Sequence, residues 1–215
     1  DGILITATTL SSEMAFECER WGTPVTLFNR YIPGSNASWF CCDNIAGGKK
    51  IGQLFLDSGH KRPAYIAGTE DTSTSIDRER GFLQVMDENG LKILREVGNY
   101  NYNDAYAAAL RLVDCPEPAD AIFCANDIMA IGALDAVRST MDMKVPDDIS
   151  IIGFDDIPMA SWPSFNLTTV RQPVNQMVDG SVKDLISRIK KPETSTNQKV
   201  LKGEIVYRGS ARIPR

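Results

Sequence analysis

The sequence has a single histidine, His60, and no His, Cys, Asp and Glu set at metal-ligand spacing. It contains no G-x-S-x-G nucleophile elbow, no G-x-G-x-x-G dinucleotide loop and no G-x-x-x-x-G-K phosphate loop. These absences leave hydrolase, dehydrogenase and nucleotide-dependent chemistry without their usual residues. No apolar run reaches the roughly 18–20 residues that span a bilayer, and no stretch of this sequence reads as a signal peptide. Basic charge is not in excess: 23 Lys and Arg stand against 28 Asp and Glu, for a formal net charge of −5. Neutralising phosphates requires clustered Lys and Arg. The densest cluster here is only His60-Lys61-Arg62. This chain alone is therefore not expected to grip DNA.

Disulfide scaffolding is also unexpected. The five cysteines (Cys18, Cys41, Cys42, Cys115 and Cys124) are odd in number and form no C-x-x-C pair. Adjacent Cys41 and Cys42 would alternate to opposite faces of a strand. Three of the five sit in apolar contexts, the usage of reduced core thiols in a cytoplasmic protein. The chain opens Asp1-Gly2-Ile3-Leu4-Ile5, without an initiator Met and already strand-like, and reads as a piece of something longer.

What is present is an alternation of strand and helix patterns along 215 residues that are 43% hydrophobic and 24% charged. Strands are expected at 2–6, 24–29, 39–42, 63–68, near 93–97, 121–125, 148–154 and 167–170, with a final one ending near Tyr207. Helices are expected around 12–21, from an Asp43–Asn44 cap to Gly59, through Phe82, Val85 and Met86 to Gly90, over 103–113, and after Asp127. Beyond Pro173, apolar residues at 174, 177, 178, 182, 185, 186 and 189 mark one face of a long helix. A polar linker, KKPETSTNQK (190–199), follows. Alternating β and α units imply an α/β fold with mainly parallel sheets flanked by helices.

In such sheets ligands bind beyond the carboxyl ends of the strands, so the polar residues there are the ones to weigh. The run AIFCANDIMAIGALDAV (121–137) puts Asn126 and Asp127 side by side where a strand hands over to a helix. The run SIIGFDDIPMAS does the same with Asp155 and Asp156. Helix capping accounts for one residue of each pair, Asp127 and Asp156, the second before a tolerated Pro158. Asn126 and Asp155 then remain at the strand tips. Their donors and acceptors suit a polyhydroxylated ligand, or they serve local loop hydrogen bonds. Arg78 and Arg80 flank Glu79, and only one of them need face a cleft. Tyr100 and Tyr102 either stack on a ligand face or cover a loop. His60, between Gly59 and Lys61, reads as structural or superficial. A carboxylate pair such as Asp155 and Asp156 could serve glycoside hydrolysis, yet neighbours at one turn do not face each other across a substrate.

Five stretches in order, GHKRPAYIAG, RERGF, AIFCANDIMAIGAL, VPDDISIIGFDDIPMAS and LTTVRQP, resemble the effector-binding core of the LacI/GalR family of bacterial transcription regulators. That core shares its fold with periplasmic sugar-binding proteins, and the resemblance runs from Asp1 to about Arg212. It implies two lobes joined by three crossings: 1–60 plus 174–200, and 61–173 plus 201–210. It implies a small-molecule effector in the cleft, a sugar or a purine, with Arg78, Asn126, Asp155, Tyr100 and Thr74 at the matching contact positions. On this reading Asn126 touches ligand and Asp127 caps the helix. Operator DNA would be read by a region this chain does not contain. The first lobe would lack its first strands, and a homodimer is the expected assembly. No metal, cofactor, membrane contact or catalysis is implied. The other reading in view is a periplasmic sugar-binding protein serving a transporter.

Overall fold

The computed structural model describes residues 1–214. The first elements are β1 (Ile3–Ile5), α1 (Met14–Arg20), β2 (Val25–Phe28), β3 (Ser38–Cys42), α2 (Asn44–Asp57), β4 (Pro63–Ala67), α3 (Ser73–Glu88) and β5 (Leu94–Val97). Then come α4 (Tyr102–Val113), β6 (Ala121–Cys124), α5 (Asp127–Ser139), β7 (Ser150–Asp155), a 3-10 turn (Pro158–Ser161), β8 (Thr168–Arg171), α6 (Val174–Lys190), β9 (Gln198–Leu201) and β10 (Glu204–Val206). They form two sheets. One has the order β1-β2-β3-β9 and is parallel throughout. The other has the order β10-β8-β7-β6-β4-β5 and is parallel except for β10, which runs antiparallel to β8.

The chain passes between the sheets three times: from β3 to α2, from β8 to α6, and from β9 to β10. Two expectations from the sequence change here. Helix α2 does not belong with the first sheet. Its Ile51, Leu54 and Phe55 share a core with Tyr65, Phe82 and Phe123, so the division expected at residue 60 moves to about Asp43. The periodicity of α2 was legible, but not which sheet its apolar face would cover. The single strand expected after the linker is two: β9 pairs with β3, and β10 pairs with β8. Lys202 and Gly203 between them make the third crossing.

Why α2 sits there is visible in the glycines. A side chain on Gly48 would overlap the carbonyl of Arg78, and one on Gly81 would overlap the carbonyl of Ile45. Two bare backbones can thus pack α2 against α3 at closest range. The second core is aromatic, with Tyr65 and Phe123 centroids 5.1 Å apart and Phe82 edge-on to Phe123 at 5.4 Å. Burying each such ring contributes about 1.5–3 kcal/mol. The first sheet has a smaller core of Ala15, Cys18, Val25, Leu27, Ile32 and Ala37. Helix α2 begins as expected, with Asp43 Oδ1 accepting the Ala46 N–H at 2.9 Å.

Candidate functional site at the carboxyl edge of both sheets

Arg78 is the centre of the site. It lies on α3, which Thr72 caps by accepting the Ser75 N–H, and it is buried. Its Nε donates to Asn44 Oδ1 at 2.9 Å, and its Nη1 donates to the Ala125 carbonyl at 2.5 Å. Its Nη2 stands 3.1 Å from Asp155 Oδ1. The guanidinium carbon rests 3.8 Å from the centre of the Phe154 ring. A buried guanidinium is costly unless paired and hydrogen-bonded. Here one side chain ties together the start of α2 and the tips of β6 and β7. Three of its five N–H groups find partners among the described residues. Arg80, by contrast, is exposed.

Asp155 closes β7 with φ at 124°, and Asp156 follows at 60°. Both lie in the region that favours glycine, so this turn is strained. Asp155 Oδ1 also accepts from Gln172 Nε2 at 2.6 Å. Burial pushes its carboxyl above the ordinary range, while Arg78 and Gln172 pull against that rise. The other expected cap is corrected here: Asp156 caps nothing. Its oxygens accept from Arg171 Nε at 2.5 Å and Arg208 Nη2 at 2.6 Å, because those two cations outcompete a backbone amide. Burial opposes this anion, but the guanidiniums outweigh burial and hold its carboxyl below the usual value.

In the Asn126–Asp127 pair the expected cap, Asp127, is corrected. Asn126 is the cap, its Oδ1 accepting the Met129 N–H at 2.9 Å. Its Nδ2 makes no hydrogen bond among the described residues, so one residue can cap with oxygen and still donate to a ligand. Asp127 is fully buried. It accepts from Thr169 Oγ1 at 2.6 Å and from the Ile157 N–H at 2.9 Å.

Tyr100 lies over Gly68, where any side chain would overlap its ring. Its hydroxyl is 3.1 Å from the Oγ1 of buried Thr74. These two are neighbours on the same edge. Tyr102 is turned away, donating to Asp135 Oδ2 at 2.8 Å on α5. His60 is buried at the opposite, amino end of the sheet, with Nε2 2.9 Å from Ser150 Oγ and Nδ1 3.5 Å from Asp120 Oδ1. That geometry imitates a catalytic triad, but Ser150 is buried and its Oγ accepts the Arg212 N–H at 3.0 Å. All five cysteines are free. Burial pushes the Cys41, Cys42 and Cys124 thiols up, so they are poor nucleophiles.

The first sheet brings its own loops to this edge. Tyr31 donates its N–H to Ser73 Oγ at 3.1 Å and its hydroxyl to Asp77 Oδ2 at 3.1 Å. Ser11 Oγ donates to Asp71 Oδ2 at 2.6 Å. Asn29 Oδ1, Arg30 Nε and Gln172 Oε1 are buried without partners among the described residues. Unpaired buried polar atoms are costly, and these three follow the carboxyl ends of β2 and β8, where a ligand lies in such folds. Sequence reasoning did not single out Asn29, Arg30 or Gln172 and read Asn44 only as part of a helix cap; PVTLFNR, an apolar strand ending on Asn-Arg, carries the signal for the first two. A separate surface depression of about 640 Å³ runs along Ile76, Arg80, Leu83 and Asp87 of α3 and carries none of the strand-tip residues.

Residues 53–211 match the family model of the periplasmic binding protein-like domain. The chain belongs to that family. Proteins similar to it include transcription regulators, one of them named as LacI family. It is 32% identical over 216 residues to the probable HTH-type transcriptional repressor ExuR of Bacillus subtilis strain 168, covering 99% of this chain and 65% of that protein. The transcriptional regulator CelR–cellobiose complex superposes with a TM-score of 0.91 at 28% identity, over 98% of this chain and 66% of that one. A LacI family transcriptional regulator from Enterococcus faecium with bound ribose gives 0.88 at 25% identity, over 100% and 80%. The chain thus spans just under two thirds of the ExuR protein's length. Within the periplasmic binding protein-like fold, the Arg78 cluster lies where the two sheets present their carboxyl ends to each other. No group of three or more metal-ligating side chains occurs among the described residues, and no described helix is long and apolar enough to cross a membrane.

Proposed function

We propose that this chain is the effector-binding and dimerising region of a ligand-responsive bacterial transcription regulator, a repressor, that takes a small sugar between its lobes. One observation carries the reading. Arg78, locked by Asn44, the Ala125 carbonyl and Asp155, presents Asp155 and the free amide of Asn126 at one edge. A carboxylate acceptor and an amide donor, with aromatic Tyr100 on the same edge, are the chemistry that holds ring hydroxyls. The sugars named in the two related structures support the same class. In use, the protein is cytoplasmic and catalyses nothing. Operator DNA is contacted by another part of the protein, and ligand closure of the lobes shifts the dimer. Such coupling is typically about 1–3 kcal/mol and reciprocal between the two sites.

The test is a thermal-shift panel of pentoses, hexoses, disaccharides and purines. A ligand at about 100 times its dissociation constant adds about 2.7 kcal/mol, a rise of several degrees for a domain this size. A rise with a sugar sustains the reading. A rise with purines alone replaces the sugar by a nucleobase, and no rise with any compound overturns small-molecule binding by this chain.

A further inference from the structure

We propose that Asp127 is a positioning residue for the effector site, clamping the strained turn that aims Asp155 and linking effector affinity to pH. This rests on the reading of Asp155 as an effector contact. Asp127 is the first residue of α5 and touches no part of the cleft's rim, since it is fully buried. Its two oxygens reach two other elements. Oδ2 takes the Ile157 N–H at 2.9 Å, just past the two left-handed residues Asp155 and Asp156. Oδ1 takes the Thr169 hydroxyl at 2.6 Å on β8, two residues before Arg171, which pairs with Asp156.

The chain makes room for this carboxylate. Gly153 has no side chain, and a Cβ there would overlap Asp127 Oδ1. A left-handed pair in β7 persists only when its surroundings over-determine it. The Ile157 bond fixes the far side of the turn, and the Arg78 and Gln172 bonds fix the near side. Removing the first frees Asp155 to rotate away from Arg78.

The same carboxyl is poised to titrate. Burial lifts it to about 7, and the charges facing it add to that rise: Asp155 and Asp156 from the β7 turn. From β6 it faces the Cys124 thiol, and from β8 the neutral Thr169. Protonation keeps Oδ2 as an acceptor and turns Oδ1 into a donor toward Thr169 Oγ1. It also replaces a charge-assisted bond to the Ile157 N–H by a neutral one, of about half the strength. Burial and repulsion from Asp155 and Asp156 outweigh that charge assistance, so ionisation works against the clamped turn, and effector binding weakens as pH rises.

Asparagine preserves both bonds without the charge, and alanine preserves neither. In Asp127→Ala, exchange of the Ile157 amide hydrogen quickens and affinity for ribose or cellobiose falls, each by about tenfold. In Asp127→Asn both stay within about threefold of wild type, and the ratio of wild-type to variant affinity falls about threefold from about pH 6 to about pH 8. Should the alanine variant fail to fold, Gly153→Ala, which displaces the carboxylate, must show the same faster exchange. Unchanged Ile157 exchange in the alanine and Gly153→Ala variants overturns the clamp, and a pH-independent ratio overturns the linkage. If wild type binds neither sugar, the sugar reading fails by itself, and the exchange data still decide the clamp.

Discussion

Arg78 Nη2 lies 3.1 Å from Asp155 Oδ1 across the gap between α3 and the tip of β7. Neither residue's position follows from its own element. Helix α3 would present Arg78 at many angles, and β7 could end in several turns. The pair is set because α2 packs closely enough for Asn44 to hold Nε, while the Ala125 carbonyl holds Nη1.

Replacing Arg78 by Lys tests that geometry. An ammonium cannot reach Asn44, Ala125 and Asp155 together, nor lie flat on Phe154. The variant should lose about 2 kcal/mol in urea unfolding, since at least one buried acceptor is left unpaired. An unchanged midpoint would show that the three bonds carry no stability.

The pH profile of stability has two limbs of opposite sign. Burial works upward on Asp120, but hydrogen bonds from His60 and from the Lys61 and Arg62 N–H groups outweigh it and hold its carboxyl at about 2. Its stabilisation is present above about pH 4 and is lost as pH falls toward about 2. Asp127, lifted to about 7 by burial, contributes stability below about pH 4 that is lost as pH rises through about 7. Denaturation from acid to neutral pH should therefore show Asp120→Asn flattening the acid limb only, and Asp127→Asn flattening the neutral limb only.

Tyr31 joins the two sheets by donating to Asp77. Burial, then the neighbouring Asp77, lifts its phenol to about 12, so the bond persists through neutral pH. Tyr31→Phe should cost about 1.5 kcal/mol and raise the radius of gyration in small-angle scattering without ligand. A scattering curve identical to wild type would assign that contact no role in holding the lobes together.

Tyr100 separates stacking from hydrogen bonding. Tyr100→Phe loses the Thr74 contact but keeps the ring over Gly68, and sugar affinity should change little. Tyr100→Ala should weaken it about fivefold, the value of one aromatic face. Equal losses in calorimetric titration would make the hydroxyl, not the ring, the contact.

Much of this architecture is written in periodicity. The alternation of apolar runs and amphipathic stretches locates nearly every element, and the rule for parallel sheets points to residues 126 and 155. Pairwise competition is not legible in that way. Asp127 and Asn126 are both good caps, and the choice fell to Asn126 because Thr169 and Ile157, 42 and 30 residues away, offer Asp127 better partners. Asp156 was likewise taken by Arg171 and Arg208. Helix α2 went to the second sheet through Gly48 and Gly81, whose meaning appears only when the two helices are side by side.

The central claim is that Asp155, held by Arg78, grips a small molecule at this edge. Calorimetric titration of the sugar that stabilises the chain, against wild type, Asp155→Ala and Asp120→Asn, tests it directly. Asp120 lies at the other end of the strands, so its variant controls for lost stability. Wild-type affinity is expected in Asp120→Asn, with a loss of at least about 100-fold in Asp155→Ala, the cost of removing a charged hydrogen-bond acceptor. Wild-type affinity in Asp155→Ala would contradict the claim.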